Sequence, residues 1–539
     1  MCNNSISFSI NNLKCMNSKI YKEVLKGGIL NKNIREAIMK SKIMISIVLL
    51  SITMAGLGCI LQPDEPSPDN LQLNNTHNES VADGEDVEGI WMGNLRVPGG
   101  LELRIVFNIS ANPDGSIKAS MDSPDQGALG IPVETVSYKD GNLNLEVKSI
   151  QGNFEGIYKE DSKTIEGKWK QAGSALPLVL SRVEKAPDTH KKQDPVKPYP
   201  YIEEEIVYEN KEAGVMLAGT LTLPQSEGPF PAVLLITGSG PQNRDEEIMG
   251  HRPFLVLSDY LTRQGIAVLR VDDRGVGEST GNFSEATTED FAEDVLAGVN
   301  YLKNRKDIDS SRIGLIGHSE GGLIAPMLAV KSPDIAFIVL MAAPGLTGEE
   351  ILYMQSDLIA RAQGIDNETI SENEALMKRM FSVVKEEENN TIAEEKLRNI
   401  LRAEIANMSE EERESPGYSE AAIEASIDAQ AKELTSPWMR FFLTYDPKPN
   451  LMKVKCPVLA INGEKDLQVP PEENLCAIEE VLREGGNKDY TVKELPGLNH
   501  LFQTAETGSP SEYAKIEETI SPAALEIIGN WILEYTQQG

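Results

Sequence analysis

Hydrophobic and polar positions change rhythm along this chain, and the changes divide it. From about Gly89 to Val183 apolar and polar residues alternate, as in Leu101-Glu102-Leu103-Arg104-Ile105-Val106-Phe107 and Leu143-Asn144-Leu145-Glu146-Val147. Period two is the pattern of strands buried on one face. Asp114-Gly115 and Asp140-Gly141 supply hairpin turns between such strands. Glu88-Gly89-Ile90-Trp91, Phe154-Glu155-Gly156-Ile157-Tyr158 and Ile165-Glu166-Gly167-Lys168-Trp169 resemble one another. Residues 85–184 therefore read as a small antiparallel barrel or sandwich of roughly seven or eight strands, a spacer or docking unit more than a ligand carrier.

Beyond 201 the apolar runs become continuous and alternate with helical patterns. Pro231–Thr237, Ala267–Val271, Ile313–Ile316, Ala336–Met341, Pro457–Ile461 and Tyr490–Leu495 read as strands. Helices are expected near Phe254–Arg263, Thr288–Lys303, Leu323–Ala329 and Ala523–Glu534. This is the signature of a mostly parallel sheet with helices on both faces, an α/β fold spanning 201–539. The alternation stops at about 347–445, a charged, helix-forming stretch expected to form a cap over the strands' carboxyl ends, where ligands bind in such sheets.

The remaining segments are short of core-forming residues. Residues 185–200 are a proline- and lysine-rich linker, and 60–84 a polar tether. Residues 39–59 carry Lys40 and Lys42, the apolar run Ile43–Leu57, then Gly58-Cys59, which together resemble a lipoprotein export signal. Leu57 stands one place later than the usual lipobox. The expectation is export to the outer side of the cell membrane, with attachment through the N-terminal segment itself or through a lipidated Cys59, and with 1–38 an upstream extension before Met39.

Composition narrows the functional classes. With 539 residues and 40% hydrophobic content the chain has material for several cores, and its net charge of -32 opposes binding to nucleic acid. Cys456 and Cys476 show no metal-binding spacing and read as buried free thiols. No metal or cofactor is expected: H-E-x-x-H and the P-loop pattern are absent, and the third glycine after Gly275 and Gly277 is misplaced at Gly281 for a dinucleotide fingerprint.

The chemistry points to one stretch. Gly317-His318-Ser319-Glu320-Gly321 stands between a predicted strand and a predicted helix, the context in which G-x-S-x-G places a serine on a strained turn. A serine hydroxyl needs a base, and the base needs an orienting group. His77 and His190 lie in tethers, His318 is the variable position of the turn, and His251 precedes a helix. His500, after the last strand, is the candidate base, and Asp466, after the strand that follows the cap, the candidate acid; Glu464 is its substitute. The order Ser319, Asp466, His500 is one of the known orders of such a triad. The backbone N–H groups of Ser239, with Gly240 behind it, and of Glu320 are the candidate oxyanion donors.

With Gly238-Ser239-Gly240-Pro241, Asp273-Arg274-Gly275-Val276-Gly277, Gly463-Glu464-Lys465-Asp466 and Asn499-His500 added to the serine turn, residues 201–538 resemble the α/β-hydrolase superfamily. The branch they resemble is the EstD-like bacterial carboxylesterases, near the serine aminopeptidases and dienelactone hydrolases. The resemblance implies hydrolysis of a small-molecule carboxylic ester through an acyl-enzyme. A peptidase of the same fold is the alternative, and a non-catalytic surface module that only binds ligand is the second.

Overall fold

The computed structural model describes residues 87–96, 102–112, 116–126, 128–150, 152–171, 174–187, 191–406 and 420–536. The signal-like segment 39–59, its Cys59, the tether 60–84 and the extension 1–38 lie outside them.

Between β1 (Gly89–Arg96) and β9 (Ser174–Val183) nine antiparallel strands form one sheet. The count exceeds the expected seven or eight because β4 (Ala128–Val133) and β5 (Thr135–Lys139) are separate strands with only Glu134 between them. No turn residue marks that break in the sequence. The two strands stand at opposite ends of the sheet order. Since one residue joins them, the sheet has to curl until its ends meet, which makes it a barrel. Trp91, Phe107, Phe154 and Trp169 fill its interior. Gly156 and Gly167 of the repeated segments face each other across neighbouring strands, and a Cβ on Gly167 would lie 2.2 Å from the Glu155 carbonyl oxygen.

A second sheet of eight strands begins with β10 (Tyr201–Asn210) and β11 (Val215–Pro224), an antiparallel hairpin. β12 (Phe230–Ile236), β13 (Ala267–Val271), β14 (Ile308–His318), β15 (Phe337–Met341), β16 (Val458–Gly463) and β17 (Tyr490–Leu495) follow. The order is β10-β11-β13-β12-β14-β15-β16-β17, with β12 to β17 parallel to their neighbours and β11 antiparallel to β13. Continuous apolar runs are required because both faces are buried: along β12, Ala232, Leu234 and Ile236 enter one core, Val233 and Leu235 the other.

The helices supply those cores. α1 (Pro253–Arg263) covers the second face. α2 (Thr288–Lys303), opened by a reciprocal cap between Thr287 and Asp290, and α3 (Gly321–Lys331) cover the first. After β15 the chain leaves the sheet for α4 (Gly348–Ala362), α5 (Asn367–Glu386), α6 (Asn390–Ala406), α7 (Glu420–Leu434) and α8 (Pro437–Thr444). This cap has its own core of Leu352, Met380, Phe381, Leu397, Ile427 and Phe442, into which Leu323 of α3 projects. The short α9 (Lys448–Leu451) returns to the sheet, and α10 (Pro471–Glu484) and α11 (Pro522–Thr536) close the first and second faces. Both thiols are free, but only Cys456 is partly buried, and burial pushes its pKa up to about 11. Cys476 is exposed on the outer side of α10, contrary to expectation. Among the described residues no helix is long and apolar enough to cross a membrane.

Candidate active site

β14 carries the serine to the sheet's carboxyl edge. Ser319 takes a left-handed backbone with φ 52, an unusual conformation for a residue with a side chain. It is held there because its N–H donates to the Met341 carbonyl at 2.8 Å, one step past the β14–β15 ladder, and its own carbonyl accepts from Gly322 N–H at 2.9 Å. The turn is tight enough to require its glycines. A Cβ on Gly317 would lie 2.1 Å from the Gly321 carbonyl oxygen, and one on Gly321 would lie 2.3 Å from that of Ile236.

Asp466 and His500 come from the loops after β16 and β17. Asp466 Oδ2 faces His500 Nδ1 at 2.7 Å, while Oδ1 accepts the N–H groups of Gln468 at 2.8 Å and Val469 at 2.9 Å. The aspartate is 1% exposed and the histidine 4%. Asn462 closes the acid loop by donating to the Val469 carbonyl at 2.7 Å. Asn499 shapes the histidine loop, accepting Leu501 N–H at 3.1 Å and Gln503 N–H at 2.9 Å. A carboxylate against Nδ1 selects the tautomer that carries its proton there, which leaves Nε2 able to accept one. Glu464, the substitute acid, instead accepts Gly497 N–H at 2.7 Å on the exposed side of the loop.

The loop after β12 runs against the serine: a Cβ on Gly238 would stand 3.3 Å from Ser319 Cβ. Among the described residues the N–H groups of Ser239, Gly240 and Glu320 meet no acceptor. Asp273 braces this loop, accepting from Thr237 Oγ1 at 2.8 Å and Gln242 N–H at 2.9 Å. Burial pushes its pKa well above the usual carboxylate range, against the pull of those two bonds. A narrow pocket of about 40 Å³ lies behind the loop, lined by Thr237, Gly238, Gly240, Asp273 and Glu320. Ser319 and His500 do not line it. Among the described residues no group of His, Cys, Asp and Glu side chains is arranged to hold a metal ion.

Three contributions escaped the sequence reading. His318, assigned no role there, is buried with its ring 4.9 Å from that of His500. Its Nδ1 meets Glu246 Oε1 at 2.9 Å and its Nε2 the His500 carbonyl at 3.0 Å. Burial pushes its pKa down, but the charge of Glu246, its hydrogen bond and the carbonyl outweigh this and the net shift is upward. Glu320, named for its N–H, also has a buried side chain that accepts from Thr288 Oγ1 at 2.6 Å and Trp438 Nε1 at 2.7 Å. Burial raises its pKa, with those two bonds pulling the other way. Trp438 belongs to α8, so the cap is hydrogen-bonded to the residue beside the serine. A histidine inside G-x-S-x-G was the only signal in the sequence, since Glu246 and Trp438 become neighbours only through folding.

A parallel sheet covered on both faces, a left-handed serine at a strand end and a histidine–aspartate pair on the next loops of the same edge define a hydrolase of the α/β-hydrolase fold. The model of the X-Pro dipeptidyl-peptidase family, S15, matches residues 213–485, just over half of the chain, and the protein belongs to that family. Esterase EstD of Thermotoga maritima is 27% identical over 329 residues, 61% of this chain and 68% of that one. Human dipeptidyl peptidase 8 is 30% identical over 162 residues, 28% of this chain and 18% of its own. Of solved structures, Est1E of Butyrivibrio proteoclasticus with ferulic acid matches 62% of this chain and 100% of its own at 18% identity and a TM-score of 0.35. Pyrococcus furiosus esterase Pf2001 matches 63% and 91% at 19% identity and a TM-score of 0.36.

Proposed function

We propose that the protein hydrolyses carboxylic esters through an acyl-enzyme formed on Ser319. His500 Nε2 takes the Ser319 proton as Oγ attacks the ester carbonyl, and Asp466 stabilises the imidazolium that results. The N–H groups of Ser239 and Glu320 receive the negative oxygen of the tetrahedral intermediate, a contribution of about 3–4 kcal/mol per donor in comparable enzymes. The imidazolium returns the proton to the leaving alkoxide, and water repeats the sequence to release the acid. What carries this reading is the 2.7 Å contact of Asp466 with His500 Nδ1, buried on the edge that presents Ser319.

The ester is favoured by the likeness to EstD, which extends over 329 residues. Family membership favours a second reading, cleavage of a peptide amide, by the same groups with an amine as leaving group. Parallel assays with p-nitrophenyl esters of graded acyl length and with X-Pro p-nitroanilides separate the two, and faster amide turnover would overturn the ester assignment. A fluorophosphonate probe is expected to label the protein and not Ser319→Ala. A protein that is neither labelled nor active on either substrate class is the outcome of the ligand-binding alternative. We also place the enzyme outside the cell membrane, on the strength of Lys40, Lys42, the apolar run and Cys59. Cys59→Ser is expected to shift it from the membrane pellet to the soluble fraction.

A further inference from the structure

Glu246 ends the loop that starts at Gly238. It is 4% exposed, and φ 51 puts it in the left-handed region. A turn around Asn243 places it there: Glu246 N–H donates to the Asn243 carbonyl at 2.9 Å, and Asn243 Oδ1 accepts from Asp245 at 3.0 Å and Glu247 at 3.2 Å. A strained, buried carboxylate needs partners that repay its position. Glu246 uses a single oxygen for two of them: Oε1 accepts Gly238 N–H at 2.7 Å and faces His318 Nδ1 at 2.9 Å.

The proton count along this chain is determined. The His500 carbonyl has no proton to give, so His318 Nε2 carries one. Gly238 N–H is also a donor, so the Glu246 oxygen accepts on that side. A proton is still required between Oε1 and Nδ1. That proton is shared by the carboxyl group and the imidazole, whichever atom carries it. Gly238, Glu246, His318 and the His500 backbone then form one line of hydrogen bonds across the three loops that meet at Ser319. Asp466 and His500 face His318 from the other loops, and Asp273 bears on Glu246 from the loop after β13.

We propose that Glu246 is a positioning residue for the reaction, acting with His318. It fixes the oxyanion loop through Gly238 and the backbone of the base through His318, and touches no substrate itself. This rests on the serine-hydrolase reading. Displacing an oxyanion donor or the base by about an ångström costs on the order of 100-fold in rate while leaving substrate binding nearly unchanged.

Glu246→Gln tests the assignment, because the amide keeps the size of the side chain but removes the carboxyl oxygen that shares a proton with His318 Nδ1 while accepting Gly238 N–H. His318→Gln breaks the same line from the other end. Active sites are first counted with a fluorophosphonate, so that misfolded protein drops out. Per labelled site, each variant is expected to lose about 10- to 100-fold in kcat with KM within about twofold of the parent. The double variant is expected to be no slower than the slower single one, since the two residues act as a unit. Variants with kcat per labelled site within about threefold of the parent, or with the loss confined to KM, overturn the proposal. Should Glu246→Gln fail to fold, His318→Gln decides alone. A parent enzyme that is neither labelled nor active overturns the serine reading instead, and this is seen before any variant is made.

Discussion

The carboxyl edge of the sheet and the cap above it are both buried against each other, yet they are built in opposite ways. At the edge, Glu246, His318, Asp466 and Asn499 are buried polar groups joined, with the half-buried Asp273, by directional hydrogen bonds. In the cap the interior is Leu, Met, Phe and Ile, and the charged pairs, such as Arg398 with Asp428 and Arg402 with Glu424, lie on the outside. An unpaired buried polar group costs about 1–3 kcal/mol, so the edge tolerates one arrangement. An apolar core accepts many substitutions that preserve volume. The fold thus holds the loops of Ser319, Asp466 and His500 rigid and leaves the cap above them free to vary.

The contrast breaks most sharply at the acid. Asp466→Asn retains the shape of the side chain but presents an amide to His500 Nδ1 and selects the wrong tautomer, so kcat should fall about 10⁴-fold, as for a comparable triad. Stopped or steady-state turnover on a p-nitrophenyl ester measures it, and a loss below tenfold would remove Asp466 from the triad.

The same division governs what could be read from the sequence. The strands from β12 onward were legible because residues buried on both faces leave uninterrupted apolar runs, and the elbow because its glycines are demanded by 2.1–2.3 Å approaches. Ser319, Asp466 and His500 were legible because each follows a strand of one sheet, so their order along the chain is their order along an edge. The β10–β11 hairpin was not expected: Tyr201–Asn210 mixes Glu203, Glu204 and Glu205 into an edge strand and lacks the runs that mark the interior. Glu246 and Trp438 were unreadable since their partners stand 72 and 118 residues away, and no local pattern records such distances.

A second group supports the edge from behind and gives the next largest effect. His251 is fully buried, with Nε2 against the Tyr513 carbonyl at 2.9 Å and Nδ1 against Thr519 Oγ1 at 3.0 Å. Burial, helped by Lys191, lowers its pKa to about 4. The unfolded chain therefore binds a proton in a range where the folded one does not. The stability due to neutral His251 is full above about pH 6.5 and is lost as pH falls toward 4, by up to about 3 kcal/mol. Urea unfolding at intervals over that range should show the slope, and His251→Gln should flatten it. An unchanged slope in the variant would assign the acid sensitivity elsewhere.

The cap shares the edge's directional bonding where Trp438 meets Glu320 at 2.7 Å and, more weakly, where Gln355 meets Gln468 at 3.4 Å. Trp438→Phe keeps the stacking with Phe442, whose ring is 5.0 Å away, and removes only the N–H donor from a buried carboxylate. The expected cost is about 1–3 kcal/mol in unfolding free energy, with a modest loss of turnover because Glu320 N–H is the proposed oxyanion donor. No change in either would mean that this hydrogen bond does not hold the cap to the edge.

The smallest effect is expected where the cap is most densely charged. Arg402 and Glu424 join α6 to α7 with side chains 47% and 44% exposed, and Arg398 reaches Asp428 beside them. Exposed pairs trade their attraction against solvent screening and the ordering of long side chains. Arg402→Ala should leave the thermal midpoint within the scatter of repeat scans and kcat on esters unaltered, at low and at high salt. A clear loss of activity would show that the outer face of the cap takes part in catalysis, and the division between a rigid edge and a permissive cap would fall. A clear loss of stability alone, greatest at low salt, would instead make the charged surface a structural element of the cap in its own right, despite its exposure.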